Sequence, residues 1–187
     1  MSKEKLSVLL VFTGDGKGKT SAGLGLLLRS LGAEKRTAFV QFIKSWNVSE
    51  HNFIEYLTTT KEYKKLLTFY RGGKGFYNIG TDSAKDVSDK EHRTAAHKTF
   101  DFALNAATSG KYDLVIADEI NNAVHDGLLN VDDLRKLITA RAENTSLCLT
   151  GRNFPRELAD LADIITEMKE EKHHFRDGYL AQEGIDY

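Results

Sequence analysis

The chain has 187 residues, 41% of them hydrophobic, which is enough to bury a core and within the size of one domain spanning residues 1–187. Its 26 Lys and Arg against 27 Asp and Glu leave a formal charge of −1, which excludes a broad field drawing in nucleic acid or an anionic membrane, so any anion site must be local. The single cysteine, Cys148, lies in an apolar run; it rules out an intrachain disulfide and a cysteine-only metal cluster and reads as a packed thiol.

The start, Met1-Ser2-Lys3-Glu4-Lys5, lacks the apolar core of a signal peptide, and no apolar run approaches the ~18 residues of a membrane span. A soluble cytoplasmic protein with no membrane partner is expected. Short apolar runs at 7–12, 37–42, 113–117, 146–150 and 163–166 predict buried strands, with helical patterns between most of them. Strands alternating with helices predict an α/β fold, a mostly parallel sheet with helices on both faces. One helix opens with the capping box Ser88-Asp89-Lys90-Glu91, carries Ala96, Phe100, Ala103, Leu104 and Ala107 on one stripe, and stops at Gly110. A second is expected over 131–140, with Leu134, Leu137 and Ile138 inward, and a third from Pro155. The interval 45–89 has few clean periods and reads as a functional loop.

The segment Gly14-Asp15-Gly16-Lys17-Gly18-Lys19-Thr20 follows an apolar strand and opens a Leu-rich helix. Glycines let backbone N–H groups converge on phosphate oxygens, and the helix N-terminus adds a favourable dipole. Lys19 supplies a point charge and Thr20 a hydroxyl for Mg²⁺. Thr13 stands where the strict P-loop pattern has glycine, but strand, loop and helix are in order, so the fold expected is the P-loop NTPase (RecA-like) sheet. Asp118 and Glu119 end the strand run 113–117, where ligands gather in parallel sheets, and one of the pair is expected to serve magnesium. Adjacent strand residues point to opposite sides, so the two are expected to divide the work, although both can bend toward a metal at a strand terminus. Arg29 lies about three helical turns beyond Gly18 and returns to the same helix face; it is read either as a phosphate contact or as a solvated arginine.

Five ordered blocks together resemble one family, the P-loop-type ATP:corrinoid adenosyltransferases, which make adenosylcobalamin. Val11 to Thr20 resembles the family's nucleotide loop, with Asp15 where Asn is common. Val40-Gln41-Phe42-Ile43-Lys44, then Trp46 and Glu50, resembles its second block; Asp118-Glu119-Ile120-Asn121 its acidic block; and Leu149-Thr150-Gly151-Arg152 its Thr-Gly-Arg turn. The last block runs from Leu158 through Thr166-Glu167-Met168 and Lys172-His173 to Ala181-Gln182-Glu183-Gly184-Ile185-Asp186-Tyr187. The resemblance implies that Co(I) of a corrinoid attacks the ribose C5′ of ATP and the whole triphosphate leaves, the nucleotide lying reversed in the loop relative to ordinary ATPases.

Carried over residue by residue, it implies Gly14, Asp15, Gly16, Lys17, Gly18, Lys19, Thr20, Gln41 and Arg152 as nucleotide-binding, Thr20, Glu119 and Asp118 as the magnesium side, and Lys19 and Arg29 as cations for the leaving group. Phe76 is expected to take the place of the corrinoid's lower axial ligand, with Tyr77 a possible substitute; Asn78 stands where the family carries Trp. A homodimer and a reductant protein such as a flavodoxin are implied partners. His173 and His174 are read as packing or as contacts to the substrate's polar edge. Two other readings use the same residues: a P-loop ATPase or kinase, with Asp118 on Mg²⁺ and Glu119 positioning the attacking group, and a basic-aromatic surface including Lys61, Lys64, Phe69, Arg71 and Lys74 for single strands. Against the second, no nucleic-acid partner is expected.

Overall fold

Alternation along each strand decides which helices it meets. The computed structural model describes residues 7–44, 48–74 and 87–187. Six strands, β1 (Leu9–Thr13), β2 (Thr37–Gln41), β3 (Leu67–Arg71), β4 (Leu114–Asp118), β5 (Ser146–Thr150) and β6 (Ile164–Glu167), form one sheet in the order β3-β2-β4-β5-β1-β6. Every pairing is parallel. The central strands β2 and β4 are buried at all five positions, as a sheet covered on both faces requires.

Helices α1 (Lys19–Gly32) and α2 (Ser49–Thr59) supply Leu27, Leu31 and Ile54 to one core cluster, where they meet Phe39, Leu67, Leu114, Ile116 and Cys148. Helices α3 (Asp89–Thr108), α4 (Ile120–His125) and α5 (Val131–Ala140) cover the other face, packing on Leu9, Val11, Ala38, Val40, Val115, Ala117, Leu147 and Leu149. Because side chains alternate, Gln41 shares the α1/α2 face with Phe39, and Asp118 shares it with Leu114 and Ile116. That parity places both polar side chains beneath α1 and α2.

The capping box of α3 forms with Ser88 and Glu91, and Gly110 follows the helix at φ 65°, as its stop signal predicts. Leu134, Leu137 and Ile138 are the buried stripe of α5. The interval 45–89 departs from the expectation of a loop: it contains α2 and the edge strand β3. Helix α2 buries only His51 and Ile54, so its apolar period is too sparse to see. Pro155 precedes a 3₁₀ turn, Arg156–Leu161, rather than an α-helix; Leu158 alone is buried there, and a longer helix would have no apolar stripe to pack. Among the described residues no helix is long and apolar enough to cross a membrane.

In register, Gln41 lies beside both Arg71 and Asp118, Phe12 beside Thr150, and Thr13 beside Glu167. The strands therefore end along one edge, which carries the chemistry.

Candidate functional site

Strand β1 delivers the chain into the glycine loop at Thr13, and α1 begins at Lys19. Gly14 (φ 97°) and Gly18 (φ 116°) hold left-handed backbone that a Cβ would strain. The loop is also clasped from outside. The Gly16 N–H donates to the Met168 carbonyl at 2.7 Å, just past β6, and a Cβ on Gly16 would lie 2.7 Å from the Lys169 carbonyl carbon. A Cβ on Gly14 would collide with the Met168 carbonyl oxygen. Gly14→Ala is therefore expected to destabilise the fold by roughly 2–3 kcal/mol, read from denaturant midpoints, because strain and overlap act together.

Lys19 is half-buried and donates to the Gly16 carbonyl at 2.6 Å, so the ammonium is tucked against its own loop. Burial, and then the nearby Arg152 guanidinium, lower its pKa. Asp15 is exposed, and Lys17 makes a 2.7 Å ion pair with Asp186.

Asp118 and Glu119 have different surroundings, and the backbone shows how. Asp118 is fully buried and accepts from Thr150 Oγ1 (2.6 Å) on Oδ1, and from Gln41 Nε2 (2.7 Å) and Thr20 Oγ1 (3.2 Å) on Oδ2. Burial raises its pKa, and the hydroxyl donors and Lys44 work against that rise. Glu119 then turns into left-handed backbone (φ 63°), with its N–H donating to Thr150 Oγ1 at 2.9 Å, and the change of direction sends its side chain into the cavity. Its Oε2 is inaccessible to solvent and has no hydrogen-bond partner among the described residues. Burial, and then the charge of Asp118, push the Glu119 carboxyl up to about 7.

An orphaned buried carboxylate oxygen is costly in isolation and is the kind of atom a cation satisfies. Among the described residues no three His, Cys, Asp or Glu side chains cluster around one point. Magnesium does not require such a cluster, since it keeps waters and takes the rest of its shell from one or two protein oxygens and phosphate. Thr20 and Glu119 fit that donor set; Asp118, saturated by three donors, fits the role of holding Thr20.

A cavity of about 580 Å³ opens over this edge, lined by residues 17–21, Lys44, Glu50, Glu119, Asn122, Arg152 and the tail residues 184–187. A second, of about 390 Å³, lies on the other side of the loop and includes Asp15, Gly16, His173 and Arg176; Lys17, Lys19 and Arg152 face both. Arg152 is placed by the turn after β5, where Gly151 adopts φ 124° and the Arg152 N–H donates to Asn122 Oδ1 at 2.7 Å.

Two expectations are corrected. Arg29 does not reach this site: it lines a separate cavity with Val8, Asp113, Leu114 and Asn144, at the opposite end of the sheet. Its helix face matched, but ten residues of rise carry it ~15 Å along α1 from Lys19. Gln41 is fully buried, with its amide nitrogen on Asp118 and its amide oxygen 2.7 Å from His51 Nε2, so it faces neighbours and not a ligand. Phe76, Tyr77, Asn78 and Trp46 lie outside the described residues.

Sequence reasoning missed Lys44, whose Nζ lies 3.2 Å from Glu50 Oε1. Burial opposes its charge, but Glu119, Asp118 and Glu50 outweigh burial and hold its pKa above the ordinary lysine value. The matched block around Val40 contained it, yet only the adjacency of β2 and β4 brings it beside Glu119.

A family model described as ATP:corrinoid adenosyltransferase BtuR/CobO/CobP matches residues 5–187. A corrinoid adenosyltransferase of Sinorhizobium sp is 33% identical over 186 residues, covering 98% of this chain and 82% of the relative. Those of Escherichia coli K12 (30% identical) and Salmonella typhimurium LT2 (31%, named corrinoid adenosyltransferase CobA) are each matched over 100% of this chain and 88% of their own length. With the glycine loop, the acidic strand end and the Thr-Gly-Arg turn converging on one sheet edge, and with a match that spans nearly the whole sequence, the chain belongs to the ATP:corrinoid adenosyltransferase family.

Proposed function

We propose that this protein transfers the 5′-deoxyadenosyl group of ATP to the Co(I) centre of a corrinoid, in adenosylcobalamin synthesis or salvage. Co(I) supplies the electron pair of the new cobalt–carbon bond, the C5′–O bond breaks, and its electrons leave with inorganic triphosphate. No proton is abstracted from the nucleophile. That suits a site whose most buried carboxylate, Asp118, is already occupied by three donors.

The observation that carries the reading is that Lys19, Thr20, Glu119 and Arg152 line one cavity in a chain of this family, with the buried Oε2 of Glu119 unpartnered among the described residues. The backbone N–H groups of the glycine loop other than that of Gly16, which is engaged by Met168, bind and orient the triphosphate together with Lys19 and Arg152, so that its developing charge meets preorganised donors. Lys44 stands on the same cavity wall and supplies a further cation there, which Arg29, at the opposite end of the sheet, does not. Magnesium, held by Thr20 and Glu119, would neutralise charge on the leaving phosphates. The family resemblance supports Phe76 as the group replacing the lower axial ligand, a homodimer, and a flavodoxin-like reductant. Co(I) needs a reducing environment, which agrees with the expected cytoplasmic location.

The test is incubation of the protein with MgATP and chemically reduced cobalamin. The visible spectrum is expected to change to that of the alkylated corrinoid with one triphosphate released per cobalt–carbon bond. Formation of ADP with the Co(I) corrinoid left unalkylated would mean a phosphoryl-transfer enzyme instead.

A further inference from the structure

The donor that fixes Gln41 comes from outside the sheet. His51, on α2, is fully buried, with Nε2 2.7 Å from Gln41 Oε1, while Arg71 Nη1, at the end of β3, is 2.9 Å from His51 Nδ1. A guanidinium nitrogen only donates, so Nδ1 is the acceptor and the proton of a neutral His51 sits on Nε2. That N–H donates to Gln41 Oε1, which turns the Gln41 NH₂ toward Asp118 Oδ2. Asp118 Oδ2 in turn receives the Thr20 hydroxyl proton, and this leaves the Thr20 oxygen lone pairs directed away from Asp118, into the cavity. Every link has one sense, set at the Arg71 end.

Reversing any of them fails. An imidazole protonated on Nδ1 would oppose the Arg71 donor, and a flipped Gln41 would set a carbonyl oxygen against the Asp118 carboxylate. Burial, and then Arg71, keep the imidazole below its ordinary pKa, in keeping with the neutral form.

We propose that His51 is a positioning residue for this enzyme: through Gln41 and Asp118 it orients the Thr20 hydroxyl that receives the nucleotide-bound divalent cation. The inference rests on the reading of Thr20 and Glu119 as the magnesium side. Outer partners that orient a metal's ligands typically contribute 10- to 100-fold in metal affinity, and this chain has a four-residue series of them without a solvent-exposed link before Arg71.

The experiment is calorimetric titration of the full chain with ATP, with and without magnesium and without corrinoid, alongside thermal melting. His51→Leu keeps the bulk and removes the donor; it is expected to leave magnesium-free ATP affinity within about twofold of wild type and to cut the magnesium-dependent enhancement by about tenfold or more. His51→Gln, whose amide N–H reaches to about the position of Nε2, is expected to restore most of that enhancement. Melting temperature follows packing and does not separate the two roles; the magnesium increment does. Full enhancement in a folded His51→Leu protein overturns the proposal. Absence of any enhancement in the wild type overturns instead the reading of the metal side on which it rests. Should His51→Leu not fold, Arg71→Leu decides the matter at an exposed position: a severalfold loss of the increment supports the series, and an unchanged increment overturns it.

Discussion

Lys19→Ala is expected to lower kcat for adenosyl transfer by at least about 10²- to 10³-fold while leaving the melting temperature unchanged or slightly higher. The two halves of that result have one cause. The ammonium is half-buried, and burial and Arg152 both lower its pKa, so the free protein carries this charge at a cost. Alanine removes the cost together with a single hydrogen bond to the Gly16 carbonyl. In the reacting complex the balance reverses, because triphosphate gains charge as the C5′–O bond breaks and Lys19 stands at the loop that holds it. Arg152 and Lys44 face the same cavity. Lys44 is committed to Glu50 and Arg152 sits on the far turn, so neither moves into the vacated place without disturbing the other wall. Single-turnover rates with reduced cobalamin, beside a melting curve, check both halves; a near-normal rate would remove Lys19 from the chemistry.

Much of this site was legible in the sequence because its parts are local. The glycine loop needs left-handed backbone at Gly14 and Gly18, and glycine announces that requirement in the one-dimensional pattern. The strand ends Asp118 and Thr150 follow short apolar runs whose length marks them, the first with β-branched Val115 and Ile116 as well. What could not be read depended on distance. Arg29 shows that helical phase alone is insufficient: the period gives the face, but the rise per residue decides which end of the sheet a side chain serves.

Gln41 shows the complementary gap. The resemblance of its block implies a nucleotide contact, whereas its neighbours, Asp118 and His51, are brought to it by sheet order and by a helix with too sparse an apolar period to read. The strand order β3-β2-β4 puts Arg71, Gln41 and Asp118 side by side although they lie far apart along the chain. Lys44 depends on distance in the same way, since the adjacency of β2 and β4 brings it beside Glu119. The αL turn at Glu119 had no signal either, because glutamate is an uncommon residue there. Its position became intelligible only through the Thr150 hydroxyl that accepts its N–H.

That turn leads to the other large effect. Removing the Glu119 charge with Glu119→Gln is expected to stabilise the magnesium-free protein and to abolish its response to magnesium, and the pH dependence identifies the cause. Burial and Asp118 push the carboxyl up to about 7 from the ordinary carboxylate range, so between those limits the folded chain holds a proton that the unfolded chain has released. Stability contributed by this group therefore falls as pH rises through that window and is level above it. His51 opposes the trend in the wild type: its pKa is lowered, so the unfolded chain binds the extra proton and stability rises toward neutral pH. The difference between Glu119→Gln and wild type cancels that contribution. It is expected to be close to zero near pH 4.5, to grow in favour of the glutamine protein up to about pH 7 by roughly 2–3 kcal/mol, and then to level off. With magnesium and ATP present the sign reverses for the wild type, because the cation binds the ionised carboxylate and competes with its proton; apparent magnesium affinity should weaken by up to about tenfold per pH unit below 7. Urea unfolding across pH, with and without MgATP, measures both slopes. A glutamine protein that still tightens on ATP when magnesium is added would assign the cation to Asp118, and the three donors on that carboxylate would then have to rearrange for it to bind.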